Sequence, residues 1–440
     1  MNRCAFAVLF LAFLSGCASN RPMGISCLEE LDENGRLKYV DPWSSTSSFN
    51  LFLPNAGVLA TENGKRRLNV LALSAGGQFG AYGAAFLHGW EDASKNLPEG
   101  GNGTFKRNEI DVVTGVSTGA VLSTHAFVAK DAEIEQLYRD TSAKDIYEQR
   151  SFLSLLFANS LMRTAKKDKL LEDNIDDDLI KEVAAQAGDR QLVVGVVDVD
   201  TGEFLRVNMV KLAKHGRYEC YRAVVGASAA VPIVFEPKFF QRNVRVWDKK
   251  TKKWDWQYRK SSMLVDGGVR TVLFIDNFET SLMQAVPTRR LFSIVHGELG
   301  VEDVEDKDRP TPNGLLGIAG GVIRVVVDEH VKGSVFRLHY VATQANPGAA
   351  FETYYADASE AACRCAEIRE QKCQSTFGVL DQDLFCKEFM NCLADRGYED
   401  GIAYAVDSGK WVKEPRYLKI DSRPIACGTR PPDPLSDRPR

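Results

Sequence analysis

A serine stands between two glycines in the sequence GVSTG, which spans residues 115–119. The residues before it, 111–114, form a strand-like run, and the stretch after it, AVLSTHAFVAK, is compatible with a helix. Gly115 and Gly119 permit the sharp strand-to-helix turn that lifts the hydroxyl of Ser117 into a cleft, where it could attack a carbonyl carbon. Taken alone, the pentapeptide is also typical of a tight connection.

A second glycine-rich segment, LSAGGQFGAYG at residues 73–83, also follows an apolar run and opens a helix-compatible stretch. The backbone amides of Gly76 and Gly77 have no side chain to obstruct them, and amides at the start of a helix stabilise a developing negative charge. The same letters loosely imitate a dinucleotide-binding loop. That alternative requires an acidic residue about 20 positions further on, and none is evident there, so the segment favours an oxyanion hole.

The segment LVDGGVR, residues 264–270, places Asp266 after an apolar run and before two glycines. A buried aspartate beside flexible backbone could take the proton of a serine directly if the two lie within hydrogen-bonding distance. An Asp-Gly pair also closes many hairpins, which is the structural alternative. His296, at the end of a predicted strand, is the residue best placed to serve instead as the base of a Ser–His–Asp triad.

Four segments, in this order along the chain, resemble the signature blocks of the bacterial patatin-like phospholipases: LALSAGGQFGAYGAAFLHGW, DVVTGVSTGAV, ASAAVPIVFEP and LVDGGVR. The resemblance implies an α/β layered fold with a central, mostly parallel sheet flanked by helices. It also implies a catalytic pair without histidine, metal or cofactor, in which Ser117 is the nucleophile, Asp266 its base and the amides of Gly76 and Gly77 the oxyanion hole. The block at 227–237 is implied to shape the cleft beside that pair.

The resemblance continues through DGGVRTVLFIDN, DEHVKGSVFRLHYVATQ and LDQDLFCKEFMNCLADRGYEDG. It predicts an acyl hydrolase domain over residues 66–405, with a disulfide-bearing C-terminal part, followed by a tail at 406–440. Two positions depart from the pattern: Ala75 replaces the first glycine of the glycine block, and Phe79 stands where the family usually has arginine. A guanidinium there suits an anionic head group, so Phe79 leaves the head-group preference open while ester hydrolysis is retained.

The elements that must position these residues are apolar runs that alternate with amphipathic stretches. Continuous runs of Val, Leu and Ile bounded by Gly or Asp are typical of strands buried on both faces of a parallel sheet. The alternation predicts the α/β class from the residues themselves. The predicted strands are 68–74, 110–117, 191–199 and 291–299.

Amphipathic segments at 151–162 and 317–341 predict helices that cover this sheet. The segment VRVWDKKTKKWDWQYRK, residues 244–260, predicts a solvated hairpin with a lysine-rich tip. An acidic, proline-containing loop at 301–314 separates the last predicted strand from long C-terminal helices.

The N-terminus carries one positive residue, Arg3, and then an apolar run, which is shorter than the about 20 residues that span a bilayer. It predicts a removable export signal at residues 1–16. The ending LSGC resembles the lipobox of bacterial lipoproteins, in which the cysteine, here Cys17, is acylated. Residues 17–65 are then a lipidated N-terminus and tether. Alanine at position 18 resembles the usual pattern for lipoproteins sorted to the outer membrane, where the protein would face the periplasm. Acyl chains on Cys17 are the expected membrane contact.

Ten cysteines are present, and eight remain if Cys4 leaves with the signal and Cys17 carries lipid. An even number predicts disulfides in an oxidising compartment. A metal site is the alternative for the cluster within 363–373, but its spacing is not the paired CxxC of common zinc modules. Two cysteines six positions apart on one predicted helix face different sides and should pair elsewhere. The disulfide candidates are Cys27, Cys220, Cys363, Cys365, Cys373, Cys386, Cys392 and Cys427, and the two that share a helix are Cys386 and Cys392.

The composition is that of a globular protein, with 44% hydrophobic and 26% charged residues, and a formal charge of -4 gives no reason to expect nucleic acid. Three functions follow. The first is a serine acyl hydrolase that cleaves lipid or other acyl esters through Ser117 and Asp266. The second is a triad esterase that uses His296. The third is a silent lipoprotein that binds envelope components on the same scaffold, against which the presence of both Ser117 and Asp266 counts.

Overall fold

The computed structural model describes residues 21–27, 30–31, 37–38, 43–44, 61–62, 65–97, 105–149, 160, 162–188, 190–275, 286, 288–299, 301–302, 315–344, 350–373, 385–415 and 425–426. The predicted signal at 1–16, the lipidation site Cys17, the candidate Cys427, nearly all of the predicted helix at 151–162 and most of the predicted acidic loop lie outside these residues.

The strands, in chain order, are β1 Ile25–Ser26, β2 Glu30–Leu31, β3 Leu37–Lys38, β4 Trp43–Ser44, β5 Thr61–Glu62, β6 Lys65–Leu73, β7 Val112–Val116, β8 Glu148–Gln149, β9 Met162–Arg163, β10 Gln191–Asp198, β11 Glu203–Asn208, β12 Lys238–Asp248, β13 Lys253–Asp266, β14 Thr288–Val295, β15 Val301–Glu302, β16 Glu352–Asp357 and β17 Ile425–Ala426. The four predicted strands are present as β6, β7, β10 and β14.

The helices are α1 Gly80–Lys95, α2 Thr118–Val128, α3 Asp131–Asp140, α4 Ala143–Ile146, α5 Ala165–Asn174, α6 Asp177–Gln186, α7 Met209–Lys214, α8 Tyr218–Ser228, α9 Leu315–Thr343, α10 Ser359–Arg364, α11 Ala366–Lys372 and α12 Lys387–Val406. Short 3-10 turns span Gly77–Phe79, Arg107–Glu109, Gly267–Val269 and Ser408–Lys410. The helix predicted at 317–341 is α9. None of the described helices is long and apolar enough to cross a membrane.

The central sheet has the order β1-β12-β13-β10-β7-β6-β14-β16. The run from β10 to β16 is parallel throughout, and β13 joins it antiparallel at the edge of β10. The predicted central, mostly parallel sheet is therefore confirmed. The 291–299 run is not the last strand, because β16 follows it and pairs with β14.

The sheet is buried on both faces because alternate residues of each strand pack into different cores. Leu71 and Leu73 of β6 join a cluster with the helices α1 and α12, whereas Val70 and Ala72 of the same strand pack with the second half of α9. Successive side chains of a strand point to opposite faces. Helices on both sides of a parallel sheet are the layered α/β arrangement that the apolar runs predict.

The hairpin predicted at 244–260 is formed by β12 and β13, whose paired residues reach Asp248 and Lys253 on either side of the lysine-rich tip. After this hairpin, β13 runs on into the centre of the domain and ends at Asp266. The long strand thus connects an exposed tip with a buried carboxylate.

Residues 21–27 belong to the segment predicted as a tether, yet they lie against the domain. Strand β1 pairs with β12, with Ile25 opposite Phe240. Arg21 donates a 2.6 Å hydrogen bond to Asp200, and a disulfide joins Cys27 to Cys220. The described part of this segment is therefore attached to the domain rather than extended away from it.

Disulfides also join the C-terminal helices, between Cys365 and Cys392 and between Cys373 and Cys386. Cys392 of α12 and Cys386, the residue directly before it, thus pair with other cysteines, as predicted. Cys363 is disulfide-bonded as well. These bonds use the sulfur atoms that the alternative metal site would need.

Candidate active site

Ser117 is the single residue between β7 and α2, and its backbone is left-handed, with φ 53° and ψ -118°. An L-residue rarely adopts this conformation, and such strain is typical of a nucleophile at a sharp strand-to-helix turn. The glycines on either side are required by close backbone contact. A Cβ atom on Gly115 would overlap the carbonyl of Gly119, and one on Gly119 would overlap the carbonyl of Leu73. The GVSTG sequence therefore forms a sharp strand-to-helix turn with Ser117 at its apex.

The hydroxyl of Ser117 donates a 2.6 Å hydrogen bond to Oδ2 of Asp266. The other carboxylate oxygen accepts a 2.7 Å bond from the amide of Gly268. Both partners are buried, with exposures of 7% for Ser117 and 3% for Asp266. Asp266 ends a strand and faces the serine, so its Asp-Gly pair does not close a hairpin.

Strands β7 and β13 pair with the same edge of β10, because β11 pairs with residues 193–198 along the other edge. Gly195 of β10 is in register with Val116, the residue before Ser117, and Val196 of β10 is in register with Asp266. The two strands therefore meet end to end at consecutive residues of β10, and this brings Ser117, which follows β7, next to Asp266, which ends β13.

Burial raises the pKa of Asp266 from 3.8 to about 6, and the hydrogen bonds from Ser117 and Gly268 and the positive charge of Lys167 oppose this rise. A pKa near 6 suits a general base at neutral pH, because the carboxylate is ionised and yet binds a proton more readily than an exposed one. Asp266 can therefore accept the proton of Ser117 without an intervening histidine.

Ser228 contacts the nucleophile and was not singled out in the sequence. Its hydroxyl accepts a 2.9 Å hydrogen bond from the amide of Ser117 and donates a 2.7 Å bond to the carbonyl of Gly195. Two residues later, the carbonyl of Ala230 accepts a 3.0 Å bond from the amide of Asp266. The block at 227–237 thus bonds to the backbone of both members of the pair.

The glycine loop lies beside the nucleophile. Thr118, the residue after the serine, donates a 3.1 Å hydrogen bond to the carbonyl of Gly77. Gly77 has φ +57° and open space around its Cα, whereas a Cβ on Gly76 would overlap the carbonyl of His296. Within the described residues, neither amide of this glycine pair donates a hydrogen bond to the backbone.

The structure does not assemble a triad from Ser117 and His296. Nδ1 of His296 lies 2.6 Å from the carbonyl oxygen of Ser74, which can only accept, so Nδ1 carries the proton. Nε2 is buried against Gly83 and has no hydrogen-bond partner among the described residues. Burial lowers the pKa of this histidine to about 4. His296 is a packed, neutral residue behind the glycine loop.

Phe79, which occupies the position of the family's arginine, packs edge-on against Phe389 at 5.6 Å between ring centres. The guanidinium of Arg369, from the cysteine-rich region, lies 5.8 Å from the ring centre of Phe79 and 5.2 Å from that of Phe389. A cation therefore does lie beside the glycine loop, and it comes from a helix far along the chain. Arg369 carries no motif, so the sequence pattern at position 79 did not reveal this cation.

Residues 71–278 match the protein-family model described as patatin-like phospholipase. The matched range contains both Ser117 and Asp266. The match supports lipid acyl hydrolysis as the general activity of this domain, and the α/β architecture is the predicted patatin-like fold. Among solved structures, the chain is similar to VipD from Legionella pneumophila, with 12% sequence identity, a TM-score of 0.33, and coverage of 89% of this chain and 72% of that chain. No curated protein matches the chain.

Proposed function

We propose that this protein is a serine hydrolase that cleaves carboxylic esters of lipids through the Ser117–Asp266 dyad. The observation that carries the proposal is the 2.6 Å hydrogen bond between the Ser117 hydroxyl and the Asp266 carboxylate. Both groups are buried, so the bond is not weakened by competing water.

In the first half-reaction, Oγ of Ser117 attacks the ester carbonyl carbon while its proton passes to Asp266. The tetrahedral intermediate collapses, the ester C–O bond breaks, and the proton on Asp266 passes to the departing alcohol. In the second half-reaction, water attacks the acyl-enzyme and gives one proton to Asp266. The acid is released, and that proton returns to the serine oxygen.

The amides of Gly76 and Gly77 stabilise the negative charge that develops on the carbonyl oxygen. Two features support this role: both amides lack a backbone partner within the described residues, and the loop is joined to the nucleophile through Thr118. Removing one such donor typically slows an acyl transfer about 10²- to 10³-fold.

A lipid substrate is supported by exposed apolar side chains next to residues that bond to the dyad. Val231 and Ile233 follow Ala230, which accepts a hydrogen bond from Asp266, and Val269 follows Gly268, which donates one. These three side chains are 42%, 68% and 52% exposed. Large apolar groups in such positions favour contact with acyl chains over contact with water.

The membrane contact proposed for the protein is acylated Cys17, at the periplasmic face of the outer membrane. The lipobox-like LSGC and the following Ala18 support it. Cys17→Ser should abolish acylation, seen as a mass difference of the N-terminal peptide, and should release the protein from the membrane fraction. An unmodified N-terminal cysteine in the native protein would contradict the assignment.

A fluorophosphonate probe tests the catalytic assignment directly. The wild-type protein should be labelled at Ser117 and should hydrolyse acyl esters, whereas Ser117→Ala should lose both properties. Asp266→Asn should label about 10²- to 10⁴-fold more slowly, the usual contribution of a general base. Labelling that persists in Ser117→Ala would refute the nucleophile, and a folded wild-type protein that turns over no ester of short or long acyl chains would favour the silent scaffold.

A further inference from the structure

We propose that Lys167 is a positioning residue for the dyad: its ammonium group holds the turn that bonds to Ser117 and Asp266, and its positive charge acts on the Asp266 carboxylate. The inference rests on the proposed function, because it concerns how the base and the nucleophile of that reaction are held and charged.

Lys167 belongs to α5 and is 6% exposed. Its Nζ donates hydrogen bonds of 3.1 Å to the carbonyls of Gly226 and Ala229, and it lies 4.9 Å from the ring centre of Phe235. Burying an ammonium group is costly unless it is compensated. Here the carbonyls at the C-terminal end of α8 and the aromatic face compensate it.

The turn that Lys167 holds is the one that bonds to the dyad. The two carbonyls it binds stand on either side of Ser228, whose hydroxyl accepts the bond from the amide of Ser117. The residue after Ala229 is Ala230, whose carbonyl accepts the bond from the amide of Asp266. A single ammonium group thus fixes the segment that aligns both members of the pair.

The charge of Lys167 also acts on the base. Burial raises the pKa of Asp266, and the positive charge of Lys167 lowers it, together with the hydrogen bonds from Ser117 and Gly268. Burial likewise lowers the pKa of Lys167 to about 8, so that the group is cationic at neutral pH. Without this charge the Asp266 carboxylate would ionise at higher pH.

Other titratable groups face the same region and are the same in the variants as in the wild type. Asp168 and Lys238 form an ion pair of 2.5 Å, and His330 lies 2.8 Å from the carbonyl of Gly268. The groups whose charges act on Lys167 are Asp168, Lys238, Asp266 and Glu236.

The test is the pH dependence of the rate at which a fluorophosphonate labels Ser117. The rate is measured from about pH 4.5 to about pH 8, a range that includes values below and above the pKa of a base near 6. Two neutral variants are compared with the wild type. Lys167→Gln keeps an N–H donor for the carbonyls but no charge, and Lys167→Met keeps neither. Lys169→Met, on the same helix but with a 73% exposed side chain, is the matched control. Each labelling rate is divided by the amount of protein that the probe labels at completion, so that unfolded molecules do not affect the comparison.

The wild type and Lys169→Met should share a midpoint near pH 6 on the acid limb. Both Lys167 variants should move that midpoint upward by less than about one pH unit, because the charge of Lys167 lowers the pKa of Asp266 but is the smallest of the influences on it. Lys167→Met should also have the lower plateau rate, because the turn loses its donor. An unchanged midpoint in Lys167→Gln would overturn the inference, whereas a wild-type protein that is not labelled at Ser117 would overturn the proposed function instead.

Discussion

Ser117 and Asp266 are 149 positions apart in the chain, and their side chains form a 2.6 Å hydrogen bond. Ser117 directly follows β7, and Asp266 ends β13. The two strands pair, one parallel and one antiparallel, with the same edge of β10, whose other edge pairs with β11. Their contact is set by strand order and register.

Asp266→Asn should stabilise the protein at neutral pH. The pKa of Asp266 is about 6 in the folded protein and 3.8 in the unfolded chain. A carboxyl group with a raised pKa stabilises the fold at pH values below its unfolded pKa, and this contribution is lost as the pH rises through its folded pKa. At pH 7 the buried carboxylate is therefore a cost of about 2–3 kcal/mol. The variant should unfold at higher urea concentration than the wild type at pH 7.

The difference between the two proteins should shrink towards zero as the pH falls to about 4, where the wild-type carboxyl is also protonated. Asp111 and Asp131, whose pKa values burial also raises to about 6, are present in both proteins and cancel in the comparison. A stability difference that is independent of pH would show that the Asp266 pKa is not raised in the folded protein.

His296→Asn should keep its reactivity with a fluorophosphonate. The Asn amide can replace the Nδ1–H donor to Ser74, and the ring does not contact Ser117 in this structure. The loss of a buried ring should cost about 1–3 kcal/mol of stability, measured by denaturant unfolding. A drop of about 10²-fold or more in labelling per folded molecule would identify His296 as a base.

Gly77→Ala should slow ester hydrolysis more than it destabilises the fold. Gly77 has φ +57° with open space around it, as does the exposed Gly216 with φ +64°, so alanine at either site should cost about 1–2 kcal/mol. The strained alanine at position 77 also turns the amide, and kcat should fall at least about tenfold. Gly216→Ala is the matched control, and equal kcat values in the two variants would argue against an oxyanion role for Gly77.

Ile233→Asp should reduce hydrolysis of phospholipid in vesicles but not of a soluble short-chain ester. Ile233 is 68% exposed and has a left-handed backbone, φ 72°, which is rare for a β-branched residue. Losing its apolar contact with lipid should cost about tenfold or more in vesicle activity, since about 1.4 kcal/mol is a factor of ten. Val406→Asp, at another exposed apolar position, is the control. Equal losses on both substrates would point to a folding defect.

The sequence alone determined the strands of the parallel sheet and the elbow at Ser117. Runs such as LNVLALS and QLVVGVVDV are apolar at most positions because their strands are buried on both faces, and this is a local property. The role of the glycines around Ser117 can also be predicted from the sequence, since close backbone contact at a sharp turn leaves no room for a side chain. Helix geometry also predicted that Cys386 and Cys392 do not form a disulfide with each other.

Tertiary structure decided the order of the strands, the disulfide partners and which other side chains contact the dyad and the glycine loop. Ser228, Lys167 and Arg369 carry no motif, since a serine, a lysine or an arginine is ordinary until packing buries it beside a particular group. The attachment of residues 21–27 and the added strand β16 likewise depend on pairing with distant segments. Short-range patterns specify which segments are strands and helices. Which side chains meet is specified by how the layers pack, because those contacts join residues far apart in the chain.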